Sequence, residues 1–148
     1  MNMRGFSLLE LTLIIILMGI LGVVAVMKMP PIAFYQTQGF AGVFLKDLNL
    51  TKSLSMSENQ KYRIVIGASS YQIQDQNGAA ITHPETGTAA IVYARGVTVT
   101  PTMTLIFDSL GQPYDGAGVA LTTVLTFTVT SQGTNYTVSV SPQTGFVQ

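Results

Sequence analysis

Glu10 is the one charged residue in residues 6–27, a stretch that is otherwise almost entirely apolar. A helix of about 22 residues is about 33 Å long, which is enough to cross the ~30 Å hydrocarbon core of a bilayer. A carboxyl group near the end of such a helix costs on the order of a few kcal/mol, so an acid there indicates a function. The residues alone leave two interpretations open. Glu10 either reaches water at the membrane interface or has a role inside the apolar segment.

The other titratable residues form no pattern that is typical of catalysis or metal binding. His83, the one histidine, lies before Pro84 in a polar loop and is predicted to be a solvated turn residue. With no cysteine and no second histidine, the chain lacks ligands for a transition metal. It also lacks the Gly-x-Ser-x-Gly motif and a phosphate-binding loop. We therefore predict no enzymatic activity, no metal and no cofactor.

Two acidic loops share only part of the pattern of a calcium site. Asp75 begins the first loop, but Gly78 comes two residues early and no terminal glutamate follows at the required place. Asp108 and Asp115 bracket a glycine-rich loop, and calcium binding there stays an open alternative.

Basic residues are too few to predict a nucleic-acid partner. The last fifty residues contain no Lys or Arg, whereas binding to a polyanion requires several neutralised phosphates. Lys61, Arg63 and Arg95 could cluster, but three such charges are usually a solvated face. The whole chain has only 7 basic and 7 acidic residues among 148, and its length allows one domain beside a membrane segment.

The amino-terminal residues differ from a secretory signal peptide. The basic region (residues 1–5) is short, the apolar run is too long, and no Ala-x-Ala cleavage site follows it. The small residue in a position to be cut, Gly5, precedes the apolar run instead. The order there is Gly5-Phe6-Ser7-Leu8-Leu9-Glu10. This order resembles the leader of type IV prepilins and pseudopilins, in which a short basic segment ends in Gly and is followed by Phe, Ser or Thr, two aliphatic residues and Glu.

The resemblance implies how such a chain is processed and where it resides. A prepilin peptidase would cleave between Gly5 and Phe6 and would methylate the new amine of Phe6. The apolar segment would stay on the mature protein as an assembly helix. The chain would be a single-pass protein of the bacterial inner membrane, with its amino terminus cytoplasmic and its head periplasmic, before it joins a pilus or a periplasmic pseudopilus. The implied partners are the lipid bilayer, other pilin or pseudopilin subunits, the peptidase and the inner-membrane assembly platform.

Cleavage after Gly5 would give Glu10 a chemical role. It would create an ammonium group on Phe6, four residues before the carboxylate, and both charges would lie in apolar surroundings. Between neighbouring subunits, the Glu10 carboxylate could neutralise the Phe6 amine of the next chain, which would offset the desolvation of both charges and fix the axial register. Such a contact is head-to-tail and does not close, so it generates a helical filament.

A proline pair interrupts the amino-terminal half of the chain. Pro30 and Pro31 each lack a backbone donor and disfavour a helical residue before them, which predicts a helix kink. From residue 32 to about residue 58 helical periodicity resumes, with one apolar stripe at steps of three and four. The predicted stripe comprises Phe40, Val43, Phe44, Leu48, Thr51 and Leu54. We expect this amphipathic continuation of the helix to pack on a sheet.

Strand patterns follow the helix. They predict strands at residues 62–66, 71–74, 90–94, 97–100, 103–108, 124–130 and 136–141, with a short one at 146–147. Residues 67–70 and 131–134 predict two hairpins, and residues 111–118 predict a turn-rich loop.

The predicted fold class is α+β. A long amino-terminal hydrophobic helix, with a membrane-spanning half and an amphipathic half, packs on a small antiparallel β-sheet or β-sandwich head. The predicted divisions are a leader (1–5), a transmembrane assembly helix (6–29), its amphipathic continuation after the proline kink (30–58) and a β-rich globular head (59–148).

The later part of the chain resembles a subgroup of the same family. Residues 45–59, 62–66, 106–111 and 138–147 look like segments of minor pseudopilins of the general secretion H type and of related minor pilins, including those of mannose-sensitive haemagglutinin pili. The resemblance implies a structural subunit that assembles through its amino-terminal helix into a type IV pilus or a type II secretion pseudopilus. The alternative within the family is a tip adhesin or a DNA-binding minor pilin, which affinity of the head for a glycan or for DNA would reveal.

Overall fold

The computed structural model describes residues 7–28 and 32–148. The chain divides into two compact units, Met1–Pro31 and Ile32–Gln148. We call the second unit the head. The predicted kink at Pro30 and Pro31 lies outside the described residues and stays a prediction.

Helix α1 spans Leu8–Lys28, a run of 21 residues rich in Leu, Ile and Val. Ser7 directly precedes the helix, and its carbonyl accepts the first helical hydrogen bonds, from the N–H groups of Glu10 and Leu11 at 3.0 and 3.1 Å. The acid in the first turn and the lysine in the last turn both have the charge that the helix dipole favours. A helix pairs its interior backbone groups internally, so this segment is suited to apolar surroundings.

Helix α2 spans Ile32–Glu58 and turns one narrow stripe toward the core of the head. The buried residues recur at alternating steps of four and three, which places them on one helical face. They are Thr37, Ala41, Phe44, Leu48, Thr51 and Ser55, with Asp47 beside them. This stripe carries as many polar residues as apolar ones.

The predicted stripe on α2 is only partly confirmed. Phe44, Leu48 and Thr51 are buried, as predicted. The other predicted members, which are only half-buried, are Phe40, Val43 and Leu54. The buried face instead includes Thr37 and Ser55, which the predicted stripe leaves out. The Ser55 hydroxyl donates to the carbonyl of Thr51 at 3.1 Å and is satisfied within the helix.

Asn59 ends α2 in a left-handed conformation. Its φ is 52°, and the N–H of Gln60 donates to the carbonyl of Ser55 at 3.2 Å. This hydrogen bond belongs to the Schellman motif, in which asparagine can replace the usual glycine. The predicted end of the helical periodicity at about residue 58 is confirmed.

Eight strands in the described part of the head form two antiparallel sheets. Their bounds are β1 Tyr62–Ile66, β2 Ser70–Gln74, β3 Ile91–Val92, β4 Val97–Thr100, β5 Thr104–Phe107, β6 Pro113–Asp115, β7 Leu125–Ser131 and β8 Thr134–Val140. The first sheet has the order β3-β2-β1-β5-β6, and the second has the order β4-β7-β8. The predicted α+β fold class is confirmed.

The seven longer predicted strands lie within two residues of the observed bounds. The β7–β8 hairpin is also confirmed, because Gln132 and Gly133 have φ values of 47° and 81°, the type I′ turn that suits a two-residue hairpin. The predicted loop at residues 111–118 is wrong in part, since it contains β6. That strand is only three residues long and pairs with β5, a partner that local pattern does not reveal. The short strand predicted at residues 146–147 is an isolated bridge between Val147 and Val140.

Phe44 of α2 joins the two sheets at the centre of the core. Its ring makes edge-to-face contacts with Tyr71 of β2, at 5.3 Å between ring centres, and with Phe127 of β7, at 5.4 Å. All three side chains are buried. Such aromatic pairs add about 0.5–1.5 kcal/mol beyond the burial itself. Helix α2 therefore supplies the layer against which both sheets close.

The last residues of the chain pack against the turn between β5 and β6. Ser139 of β8 exchanges two backbone hydrogen bonds with Gln148, at 2.8 and 3.0 Å, so the chain folds back along the edge of β8. The return passes through Gly145, whose φ is 58°. A Cβ on Gly145 would overlap with the carbonyl oxygen of Gly111. Glycine is therefore needed both for the backbone conformation and for the close approach.

Replacing Gly145 by Ala should lower the free energy of unfolding by about 2–5 kcal/mol, because the left-handed conformation costs roughly 1–2 kcal/mol and the overlap adds about 1–3 kcal/mol. Gly133→Ala is the matched control, since Gly133 has a φ of 81° but open space where a Cβ would stand. Urea unfolding of the full chain in detergent micelles, followed by tyrosine near-ultraviolet circular dichroism, measures both losses. Equal losses would contradict the packing of Gly145 on Gly111.

Candidate functional site

Helix α1 presents an apolar surface on every side. All of its 21 residues are exposed in this structure. Within the described residues, it is the one helix that is long and apolar enough to cross a membrane, with a mean hydropathy of 2.7. An exposed apolar surface of this extent marks a contact with lipid or with another protein.

Glu10 lies in the first turn of α1 and is exposed. Its neighbour Thr12 donates its hydroxyl to the carbonyl of Leu9 at 2.9 Å and is satisfied within the helix. Glu10 differs, because it takes part in none of the ion pairs between described residues. Gly5 and Phe6, the other predicted site residues at this end, lie outside the described residues.

A group of polar residues is buried in the head where α2, β2 and the following loop meet. The carboxylate of Asp47 accepts a hydrogen bond from the hydroxyl of Tyr71 at 2.5 Å, and its other oxygen lies 2.6 Å from Nε2 of His83. The exposed fractions of Asp47, Tyr71 and His83 are 3%, 1% and 6%. A buried carboxylate requires hydrogen bonds to its oxygens to offset the loss of water. We call these three residues the polar staple.

The neighbouring backbone identifies where the protons of the polar staple lie. The N–H of Glu85 donates to Nδ1 of His83 at 3.3 Å, so we assign the imidazole proton to Nε2, which then donates to Asp47. Burial, together with the hydrogen bond to Asp47, raises the pKa of Tyr71 well above its ordinary value. The phenol therefore stays protonated and keeps its role as a donor.

The polar staple corrects the prediction for His83, which is buried and not solvated. The predicted loop does form: the N–H of His83 donates to the carbonyl of Thr88 at 2.8 Å, and the N–H of Gly87 donates to the carbonyl of His83 at 2.9 Å. The His83 side chain, at the start of this loop, points into the head because it bonds to the buried carboxylate of Asp47. Sequence reasoning missed Asp47 altogether. The available signal was its position, between Phe44 and Leu48 on the predicted buried face of the helix.

The polar staple holds its protons in place and offers none to a substrate. Both ring nitrogens of His83 and both carboxylate oxygens of Asp47 are engaged by protein groups. A general base must come within hydrogen-bond reach of the proton that it abstracts. This histidine has no nitrogen left for that purpose, so the arrangement is suited to joining α2, β2 and the loop.

Three turns of the head are built alike around an aspartate. In each turn, Oδ1 accepts hydrogen bonds from the N–H groups two and four residues later, and the glycine three residues later has a positive φ. The turns begin at Asp75, Asp108 and Asp115. Their Oδ1 atoms accept these backbone N–H groups, as in an Asx-turn. In the part of the chain that the structure describes, no group of three His, Cys, Asp or Glu residues could hold a metal ion.

Two solved structures are similar to this chain. One is the minor pseudopilin EpsH from the type 2 secretion system of Vibrio cholerae, with a TM-score of 0.57 and 14% identity over 76% of this chain and 94% of that chain. The other is the type IV minor pilin FimU of Pseudomonas aeruginosa, with a TM-score of 0.55 and 18% identity over 75% of this chain and 90% of that chain. No protein-family model and no curated protein matches the sequence.

The fold is that of type IV pilins and pseudopilins, as the resemblance of the amino-terminal residues predicts. Both similar structures are minor subunits, one from a secretion system and one a type IV pilin. The predicted likeness to minor pseudopilins and minor pilins is therefore confirmed at the level of the fold.

Removing His83 should destabilise the head, because it would leave the buried carboxylate of Asp47 with one hydrogen bond fewer. His83→Ala is expected to lower the free energy of unfolding by about 1.5–3 kcal/mol, the range for a hydrogen bond to a charged group. Glu85→Ala changes an exposed residue of the same loop and should stay within about 0.5 kcal/mol of the natural chain. Urea unfolding of the full chain measures both variants. A His83→Ala variant as stable as Glu85→Ala would show that the staple contributes nothing.

Proposed function

We propose that this chain is a structural minor pilin or pseudopilin subunit, which acts by assembling with other subunits and not by catalysis. One observation carries the proposal: a fully exposed apolar helix is combined with a head that has the fold of a minor pseudopilin and of a minor pilin. The apolar surface of α1 needs a cover that its own described unit does not supply. We propose that lipid covers it in the precursor and that the helices of neighbouring subunits cover it in the filament.

In this proposal, residues 1–5 are a leader that a prepilin peptidase removes. The cut falls between Gly5 and Phe6, and the new amine of Phe6 is methylated. Helix α1 begins at Leu8, after the cut, so the mature protein keeps the whole helix. The precursor crosses the inner membrane once, with a cytoplasmic amino terminus and a periplasmic head, and the assembly platform draws it into a pilus or a pseudopilus.

Glu10 sets the axial register of the subunit in this proposal. Its carboxylate is exposed on an apolar helix and belongs to none of the ion pairs between described residues. Once lipid or protein surrounds the helix, an unpaired charge there is costly, and the amine of Phe6 in a neighbouring chain is a partner of the opposite sign. Pro30 and Pro31 would allow the helix to bend as the subunit leaves the bilayer.

Intact mass spectrometry and amino-terminal sequencing of the mature protein test the processing. We expect a chain that begins at methylated Phe6. Gly5→Val should leave the precursor uncut but still in the membrane, because the apolar helix is unchanged, while Asn2→Ala in the leader should be cut normally. A mature chain that still begins at Met1, or one cut after Met29, would overturn the proposed processing.

Assembly through Glu10 is tested by incorporation into filaments. Glu10→Ala should leave a processed, membrane-held protein whose share in the sheared filament fraction falls at least about tenfold, because each contact would leave the Phe6 amine buried without a partner. Thr12→Ala is the matched control, since the Thr12 hydroxyl bonds only within its own helix. Immunoblotting of the membrane and filament fractions gives the ratio. Normal incorporation of Glu10→Ala would remove the register role.

The DNA-binding alternative gains no support from the basic residues of the head. The Arg63 side chain donates to the carbonyl of Gln76 at 2.6 Å, and the Lys61 ammonium lies 5.8 Å from the ring centre of Tyr114. Arg95 precedes β4, in the other sheet. Two of the three cations therefore have partners within the head, and the structural role remains the proposal.

A further inference from the structure

The head contains a cavity of about 220 Å³ beside the polar staple. It lies between α2, which contributes Leu50 and Leu54, and β2, which contributes Ile73. The loop after β2 and strand β3 complete the wall with Ile81 and Ile91. Apolar cavities of about 150 Å³ inside proteins stay dry and take up benzene or xenon. This cavity is larger than that and is lined by the same kinds of side chain.

The polar groups that border the cavity are already satisfied or lie toward solvent. The Tyr71 hydroxyl and Nε2 of His83 both point to Asp47, and Nδ1 of His83 accepts the N–H of Glu85. Gln72 and Thr82 supply the other polar side chains of the wall; they are half-buried and exposed, respectively. A ligand inside therefore meets mainly the rings and aliphatic groups of the wall, and the polar groups of Tyr71 and His83 are already paired.

The cavity has a buried end and an open end. Tyr71 and Ile73 form the buried end, with exposed fractions of 1% and 5%. Pro84 and Ala89 belong to the wall as well but are exposed, so the mouth lies at the loop. Because His83 is bonded to Asp47 of α2, the loop is held above the space, and the cavity is formed before a ligand arrives.

We propose that this cavity is a binding site for one small, uncharged, apolar molecule about the size of a substituted benzene ring. The volume sets the size, since the site exceeds one that holds benzene. The satisfied polar groups set the chemistry, since a charged ligand would lose its water without gaining a partner. Filling the space also restores dispersion contacts that the wall residues lack while it is empty.

Toluene tests the proposal, with benzylammonium as its charged counterpart. The full chain, labelled with ¹³C in the methyl groups of Ile and Leu, is held in detergent micelles and dialysed against buffer of known probe concentration. The dialysis fixes the free toluene even though micelles absorb it. We expect saturable shifts of the Ile73, Ile81 and Ile91 methyl signals, and benzylammonium should bind at least about tenfold more weakly. Equal affinity for the two probes would overturn the proposed chemistry.

Two variants and one control locate the binding. Leu54→Phe narrows the cavity from α2 and Ala89→Phe narrows it at the mouth, so each should weaken toluene binding at least about tenfold. Leu45→Phe makes the same change at another half-buried position of α2 that does not line the cavity, and binding should be kept. If one narrowing variant fails to fold, the other gives the answer.

Three further results would overturn the proposal. Linear shifts confined to the methyl groups of α1 would mean that toluene enters only the micelle. Unchanged binding in both narrowing variants would place the site elsewhere. Intermolecular nuclear Overhauser effects from a second copy to the Ile73, Ile81 and Ile91 methyl groups in ligand-free protein would make a side chain of the neighbouring copy the occupant.

Discussion

A carboxylate that is removed from water must keep its hydrogen-bond donors, and in this head the donors of Asp47 come from other parts of the chain. Tyr71 follows it by 24 residues and His83 by 36 residues. One side chain of α2 is therefore tied both to β2 and to the loop beyond it. Phe44, one turn earlier on the same helix, adds the apolar contact with Tyr71 and Phe127. The placement of α2, and with it the closure of the two sheets, depends on these two neighbouring positions.

Local patterns in the sequence predict the helices, strands and turns, whereas they do not predict contacts between residues that are far apart in the chain. The end of α2 at Asn59 and the hairpin at Gln132 and Gly133 are specified by a few adjacent residues, and both predictions are confirmed. The Asp47–His83 contact has no local signature, so the sequence predicts a solvated His83 and gives Asp47 no role. Thr37 and Ser55 are absent from the predicted stripe although both are buried, because polarity alone does not reveal that a hydroxyl bonded to its own helix, such as that of Ser55, is buried at little cost. For the amino-terminal site, residue order supplies the prediction and the structure supplies only the place of Glu10 in the first turn of α1.

The two units are stabilised in different ways, and the difference is consistent with the proposed assembly through α1. Within α1 the structure rests on local hydrogen bonds, since none of its residues is buried in this structure. The head is stabilised by contacts between distant segments and has its own buried core. A transfer of α1 from lipid to protein would replace one apolar cover with another. Such a transfer makes no demand on the core of the head.

The three aspartate-centred turns have a consequence for the order in which the head folds. Each is complete within five residues, from Asp75, Asp108 or Asp115 to the residue four positions later, so the loop-closure entropy that opposes it is small. The contacts of α2 with β7 and β8 join segments that are far apart in sequence, and such contacts are slow to form. The turns can therefore form before α2 packs on the two sheets. The docking of α2, in which the Asp47 carboxylate exchanges water for Tyr71 and His83, requires contacts between segments distant in sequence and is expected to follow the turns.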